Sequence, residues 1–180
     1  MEKNLIKKFY KTNGYFIYRI NKKEIINLRK EFVSIFNLIS KGNIRKKIKN
    51  DSDIIKLYKS KNRNLWTSVY DIIKLNPGIF SICKKKSFEN ILNIAGIKKP
   101  CFGTRPQVRV DMPKDNKFSF KSHQDYPFNL GSKNSITIWM PLQDTDYNMG
   151  TLKVSPKSHR NEEIFKYGIN DKNFNIDLGK

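Results

Sequence analysis

Two side chains with metal-binding chemistry, His123 and Asp125, stand two positions apart in the second half of the chain. In an extended chain alternate side chains share a face, so the imidazole and the carboxylate would point the same way. Together they supply two of the three ligands in the two-histidine, one-carboxylate face typical of non-haem Fe(II) oxygenases. Because such a pair also arises by chance, a surface hydrogen bond between them, or Asp125 capping the next turn, stays open as an alternative.

Length and composition indicate one globular domain that could position such a pair. The chain has 180 residues, of which 38% are hydrophobic and 12% aromatic, enough for a sizeable core. We expect a single domain over residues 1–180, with a mainly helical part at 1–100 and a β part at 101–180.

The formal net charge of +20 raises the question of a polyanionic partner. The lysines are spread along the whole chain, with short clusters at 45–49 and 84–86. No helix-turn-helix, zinc-finger or RNA-binding signature accompanies them. We therefore predict no specific nucleic-acid partner, while attraction of anionic small substrates stays open.

The two cysteines, Cys83 and Cys101, have neither a metal-type spacing nor a disulfide framework. They are predicted to be free thiols in a reducing compartment. No signal-peptide stretch is visible, and no apolar run is long enough to cross a bilayer. These features predict a cytoplasmic protein without a membrane partner.

Helical periodicity dominates the first half of the chain. Residues 14–20 are aromatic and β-branched and predict a short strand. Asn21 then predicts an N-cap, with Glu24 as its capping-box partner, for an amphipathic helix that ends near Gly42. The polar segment 43–64 predicts a loop or a short helix.

Further helices are predicted around a breaker of sequence Asn-Pro-Gly at 76–78. One precedes it, and a short one opens at Pro77 and runs through Cys83. A third is predicted from a Ser87 cap to Gly96.

After Pro100 the pattern changes from helical to alternating. Polar side chains at 107, 109 and 111 share one face of a predicted strand, with valines at 108 and 110 on the other. Apolar runs at 135–140 and 151–155 each stop at a proline. Several short strands separated by turn signals predict a sandwich or barrel. The expected fold is therefore α+β, with a helical first half packed against an antiparallel β second half.

Several motifs in this second half resemble the phytanoyl-CoA dioxygenase family. They are His-Gln-Asp-Tyr-Pro at 123–127, Gly-Ser at 131–132, Ile-Trp-Met-Pro-Leu at 138–142 and Gly-Thr-Leu-Lys-Val-Ser-Pro-Lys-Ser-His at 150–159. The resemblance spans most of the chain and is densest from Arg109 to Arg160. It implies an antiparallel double-stranded β-helix, a jelly-roll or cupin-like form, with the helical N-terminal half packed on it.

The resemblance also implies cofactors and chemistry. Family members use Fe(II) with 2-oxoglutarate, and ascorbate is a candidate reductant. The implied reaction is hydroxylation of a small organic or acyl substrate by O₂. His123 and Asp125 match the first two iron ligands. The carboxylate fits a hydroxylase better than the family's halogenases, in which a small residue takes its place.

Four further residues are carried over as candidates for the pocket. Trp139 matches a tryptophan that lines the 2-oxoglutarate pocket in relatives. Gln107 and Arg109 would contact 2-oxoglutarate or substrate, and Tyr126 would border the pocket mouth. A buried strand aromatic at 139, a solvated polar face at 107 and 109 and a sheet-edge cap at 126 stay open.

One departure from the family pattern concerns the third iron ligand. The chain has two histidines, and the second, His159, lies in the Pro-Lys-Ser-His element that is structural in relatives. The family's distal histidine and the arginine that binds 2-oxoglutarate have no counterpart before Lys180. We therefore expect a C-terminally incomplete jelly roll, from a fragment or an interrupted reading frame, with weak or no activity alone.

The alternative to a hydroxylase is an inactive or non-catalytic small-molecule-binding jelly-roll protein. The intact pair of His123 and Asp125 favours the enzyme, because a degenerate site is free to lose either residue. The substrate, the third iron ligand and the oligomeric state stay open.

Overall fold

Six α-helices form the scaffold of the part of the chain that the structure describes. The computed structural model describes residues 2–40, 48–59, 63–104, 106–112, 122–126 and 132–160. The helices are α1 (Glu2–Asn13), α2 (Lys22–Ser40), α3 (Asp51–Lys59), α4 (Arg63–Ile73), α5 (Pro77–Cys83) and α6 (Lys86–Ala95). Two 3₁₀ turns follow, at Tyr147–Met149 and Ser158–Arg160.

The long helix α2 is the centre of the helical packing. It begins where the sequence predicts, because the Asn21 side chain accepts a hydrogen bond of 2.9 Å from the Lys23 amide. The helix packs against α4 and α5, and α4 also packs against α3. Its apolar stripe places Leu28, Phe32 and Phe36 in the core, each less than a tenth exposed.

The predicted short helix around the Asn-Pro-Gly breaker is confirmed at both ends. Helix α5 runs from Pro77 to Cys83, and the Asn76 side chain accepts a 2.7 Å hydrogen bond from the Gly78 amide. Proline suits this first position, since its fixed φ fits the helix and an amide there would lack a helical partner.

Helix α6 ends as the sequence predicts but begins differently. Gly96 closes it in the left-handed conformation, with φ of 80°. The helix starts at Lys86 with Lys85 as its N-cap, so the predicted cap at Ser87 is wrong. The Ser87 hydroxyl lies buried inside the first turn, without a hydrogen-bond partner among the described residues.

Helix α1 precedes the predicted elements and packs against α6. The strand predicted at 14–20 is wrong, since residues 15–21 are irregular. The segment predicted as a loop or short helix contains α3, and the predicted helix end near Gly42 lies outside the described residues.

The predicted jelly roll is wrong for the described part of the chain. Residues 101–104, 106–112, 122–126 and 132–160 contain no β-strand and no sheet. Apart from the two 3₁₀ turns and the helical residue Tyr126, they are irregular chain. The expected α+β class, with an antiparallel double-stranded β-helix over 101–180, is therefore replaced by helices and irregular segments in the described residues.

The alternating pattern that predicted strands has another cause. Val108 and Val110 pack against the helical core, while their neighbours Gln107, Arg109 and Asp111 are exposed. Alternation requires only that an extended chain lies over an apolar surface, whereas a sheet also requires a neighbouring strand. The Tyr70 hydroxyl hydrogen-bonds both backbone groups of Val110: it accepts from the amide at 2.7 Å and donates to the carbonyl at 3.2 Å. A side chain of α4 thus stands where a partner strand would be.

Candidate functional site

The structure brings the imidazole of His123 and the carboxylate of Asp125 into contact. His123 Nε2 lies 3.3 Å from Asp125 Oδ1. Both residues lie in the irregular chain at 122–125, directly before the helical residue Tyr126, so neither a helix nor a sheet sets this geometry. The two side chains meet on one side of the chain, as a spacing of two positions allows.

Thr137 completes this contact from a different segment. Its hydroxyl donates a short hydrogen bond to Asp125 Oδ2, the oxygen that does not face His123. The two carboxylate oxygens therefore have different neighbours, an imidazole nitrogen for Oδ1 and a hydroxyl for Oδ2. Asp125 is held from two sides.

Thr137 was not among the residues selected from sequence. It lies 12 positions from Asp125, and no local spacing rule brings the two together. A signal was present in the run Ser-Ile-Thr-Ile-Trp at 135–139, where a hydroxyl interrupts apolar residues. Thr137 is exposed, so the hydroxyl does not serve the core.

The donor set of this pair fits a first-row metal ion such as Fe(II). An imidazole nitrogen and a carboxylate oxygen are ligands that non-haem iron accepts. Ligand atoms about 2.1 Å from a metal and at neighbouring positions lie about 3 Å apart, and the observed separation is 3.3 Å. The side chains are 28% and 45% exposed, so an ion could reach them from solvent.

A complete three-ligand site is not assembled within the described residues. No group of three or more His, Cys, Asp or Glu side chains there is arranged to hold a metal ion. The chain's other histidine, His159, lies near α1, with its Nε2 3.1 Å from the Lys11 carbonyl oxygen. Within the described segments, His123 and Asp125 therefore stand as a two-ligand set.

The predicted cofactor residues Gln107 and Arg109 lie on the outer side of segment 106–112. Both are exposed, and Arg109 pairs with Asp111 at 2.7 Å. Arg109 and Asp111 also lie close enough to Tyr70 of α4 to act on the pKa of its hydroxyl, in opposite directions. The Arg109 guanidinium is thus already paired with a carboxylate of its own segment, that of Asp111.

The other two pocket candidates differ in exposure. Trp139, two positions after Thr137, is 46% exposed, which excludes the buried strand aromatic considered from sequence. Tyr126, which follows Asp125, is half-buried. The roles predicted for the two rings, at the 2-oxoglutarate pocket and at its mouth, stay predictions.

Two grooves occur elsewhere on the described surface. One, of about 440 Å³, lies between α2 and α5 and is lined by Glu24, Glu31 and Lys85 among others. The second, of about 360 Å³, lies beside the rings of Phe80 and Phe102. Neither groove is lined by a residue of the predicted iron or cofactor sites.

The chain matches no protein-family model, no curated protein and no solved structure. Among the described helices, none combines the length and the apolar character needed to cross a membrane.

Proposed function

We propose that His123 and Asp125 are two iron ligands of an Fe(II)- and 2-oxoglutarate-dependent hydroxylase that acts on a small organic or acyl substrate. The observation that carries this proposal is their contact, with the imidazole nitrogen 3.3 Å from the carboxylate oxygen. The ordered motifs from 109 to 160 that resemble the phytanoyl-CoA dioxygenase family support the choice of reaction. The jelly roll is not part of the proposal.

Each ligand has a defined task in this proposal. His123 would offer neutral Nε2 to the metal, and Asp125 would offer Oδ1 and neutralise part of its charge. When bound, Fe(II) with 2-oxoglutarate supplies the oxidising power for inserting an oxygen atom from O₂ into a C–H bond. The chain's own contribution is to orient the two ligands and leave the other positions of the metal open.

The co-substrate would be held by Arg109, Gln107 and Trp139, which are all exposed. Arg109 is the proposed charge partner for a 2-oxoglutarate carboxylate, with Gln107 beside it. Arg109 forms an ion pair with Asp111 in which the two side chains are 42% and 54% exposed. Such surface ion pairs contribute only about 0–1 kcal/mol to folding stability. If a carboxylate of 2-oxoglutarate replaced Asp111 as the partner of Arg109, the loss of the existing ion pair would therefore cost little free energy. Trp139 would stack against the co-substrate, and Tyr126 would border the substrate.

A cytoplasmic location belongs to the same proposal. Cys83 and Cys101 are both free thiols, as a reducing compartment would keep them. Burial raises the pKa of the Cys83 thiol, which favours its protonated, unreactive form.

The proposal is tested first by iron binding and then by turnover. Fe(II) would be titrated anaerobically into the full chain, and succinate formation from 2-oxoglutarate would then be measured with O₂. The informative variants are His123→Ala and Asp125→Asn. His159→Gln controls for loss of a histidine, and Asp144→Asn, whose side chain is 94% exposed, controls for loss of a carboxylate.

We expect both site variants to lose Fe(II) affinity by at least about 10-fold, with both controls unchanged. Iron binding without succinate formation would favour the alternative, a non-catalytic small-molecule-binding protein. Equal Fe(II) affinity in the parent chain, His123→Ala and Asp125→Asn would remove the ligand assignment altogether.

A further inference from the structure

Asp125 has two oxygens in unequal surroundings, and Thr137 is the cause of the difference. The threonine hydroxyl donates to Oδ2, while Oδ1 lies 3.3 Å from His123 Nε2. An ionised carboxylate accepts such a bond more strongly than a neutral oxygen does. The carboxylate plane is therefore fixed relative to the imidazole.

We propose that Thr137 is a positioning residue, which holds Asp125 so that only Oδ1 is offered to the metal. The inference rests on the proposed iron-binding role of His123 and Asp125 and adds a third residue to it. A carboxylate held in this way would offer one oxygen to the metal instead of two. Oδ2, bonded to Thr137, would then leave room for the co-substrate or O₂.

The side-chain type at 137 suits this role. Threonine is branched at Cβ, so its χ1 angle has few accessible values and its hydroxyl keeps one direction. Asp125 is 45% exposed and would otherwise sample several rotamers in solvent. A metal ligand that is already oriented loses less entropy on binding, and hydrogen bonds to ligating carboxylates commonly serve this purpose.

A structural role for the same hydrogen bond makes a different prediction. Both partners are partly exposed, and exposed polar contacts contribute little to folding stability. If the bond only connects two irregular segments, its removal should lower the free energy of unfolding and leave the Fe(II) affinity unchanged. If it positions Asp125, its removal changes metal affinity with little effect on unfolding.

The test uses three variants of the full chain and anaerobic Fe(II) titration. Thr137→Val keeps the branched shape and removes the hydroxyl, whereas Thr137→Ser keeps the hydroxyl and removes the methyl group. Thr151→Val makes the same chemical change at a threonine outside the contact of His123, Asp125 and Thr137. Urea unfolding of each protein without metal shows whether folding is affected.

We expect Thr137→Val to bind Fe(II) about 10-fold more weakly, with Thr151→Val close to the parent chain. Thr137→Ser, which keeps the hydroxyl and loses the branch, should fall between the parent chain and Thr137→Val. Unchanged affinity in Thr137→Val, with the parent chain binding iron, would overturn the inference and leave the proposed function standing. Equal weakening in Thr137→Ser would also overturn it, since the hydroxyl would not matter. Absence of Fe(II) binding by the parent chain would overturn the proposed function, and this inference with it.

Discussion

The imidazole of His159 lies against Gly14, in the space that a side chain at position 14 would need. A Cβ added to Gly14 would lie 2.4 Å from His159 Nδ1, well inside van der Waals contact. His159 Nε2 is 3.1 Å from the Lys11 carbonyl oxygen, and the Lys157 amide donates to the Asn13 carbonyl at 2.9 Å. The last described segment thus satisfies carbonyls at the C-terminal end of α1, which lack partners within the helix.

This contact predicts that Gly14→Ala destabilises the fold through two separate effects. Gly14 has φ of 80°, where an alanine costs about 1–2 kcal/mol. The added methyl group also displaces the exposed His159 ring, which adds to this cost. Gly96→Ala is the matched control, because Gly96 has the same φ and nothing within 4 Å of the added carbon. In urea unfolding, Gly14→Ala should lose more stability than Gly96→Ala.

Combining Gly14→Ala with His159→Ala sharpens this comparison. With the ring removed, the glycine substitution should cost about 1–2 kcal/mol, the value for backbone strain alone. If Gly14→Ala and Gly96→Ala lose the same stability with His159 in place, the ring does not occupy this space in solution.

Two neighbouring isoleucines test the orientation of α4. Ile73 is 1% exposed in the core between helices, whereas Ile72 is 48% exposed on the same helix. Ile73→Ala should lower the free energy of unfolding by about 2–5 kcal/mol because it removes buried methyl groups and leaves a cavity. Ile72→Ala should change it by less than about 1 kcal/mol. Similar losses in urea unfolding would contradict the orientation of α4.

Local signals explain why α2, α4, α5 and α6 could be predicted from sequence. Pro77 and Gly96 act through their own backbone, one fixing φ at a helix start and the other accepting a left-handed φ at a helix end. The stripe of Leu28, Phe32 and Phe36 repeats with the helix period, so the buried face of α2 follows directly. None of these signals depends on distant parts of the chain.

The second half could not be predicted in the same way. An alternation of apolar and polar residues shows which side chains are buried, but it does not show whether the segment pairs with another strand. Val108 and Val110 alternate with exposed residues over the helices, and Tyr70 takes the backbone groups of Val110. At the candidate site, the spacing of His123 and Asp125 was enough to predict their contact. The hydrogen bond from Thr137 joins two segments that are distant in the sequence, so no local spacing rule could predict it.

Tyr70 provides a direct test of how segment 106–112 is held to α4. Its hydroxyl makes two hydrogen bonds, to the amide and to the carbonyl of Val110. Tyr70→Phe leaves a partly buried amide without this partner and should lower stability by about 1–3 kcal/mol. Tyr147→Phe is the control, because that ring is 74% exposed. Equal urea midpoints for Tyr70→Phe and the parent chain would show that the two bonds are absent in solution.

The same hydroxyl should make stability depend on alkaline pH. Burial, the largest cause, raises the pKa of Tyr70 above its ordinary value of 10.0, and the neighbouring Asp111 carboxylate acts in the same direction. The folded state therefore keeps the proton longer than the unfolded state does. The stabilisation is fully present below the unfolded pKa and is lost as pH rises through the folded one.

Comparison with Tyr70→Phe isolates this effect, since the lysines that also lose protons in this range are common to both proteins. The stability difference between the parent chain and the variant should be constant near neutral pH and shrink from about pH 10 upward. Urea unfolding at intervals from about pH 8 to about pH 11 measures it. A difference that widens over this range would mean that the folded state favours the ionised phenol, so that the Val110 hydrogen bond and Arg109, which lower the pKa of Tyr70, outweigh its burial.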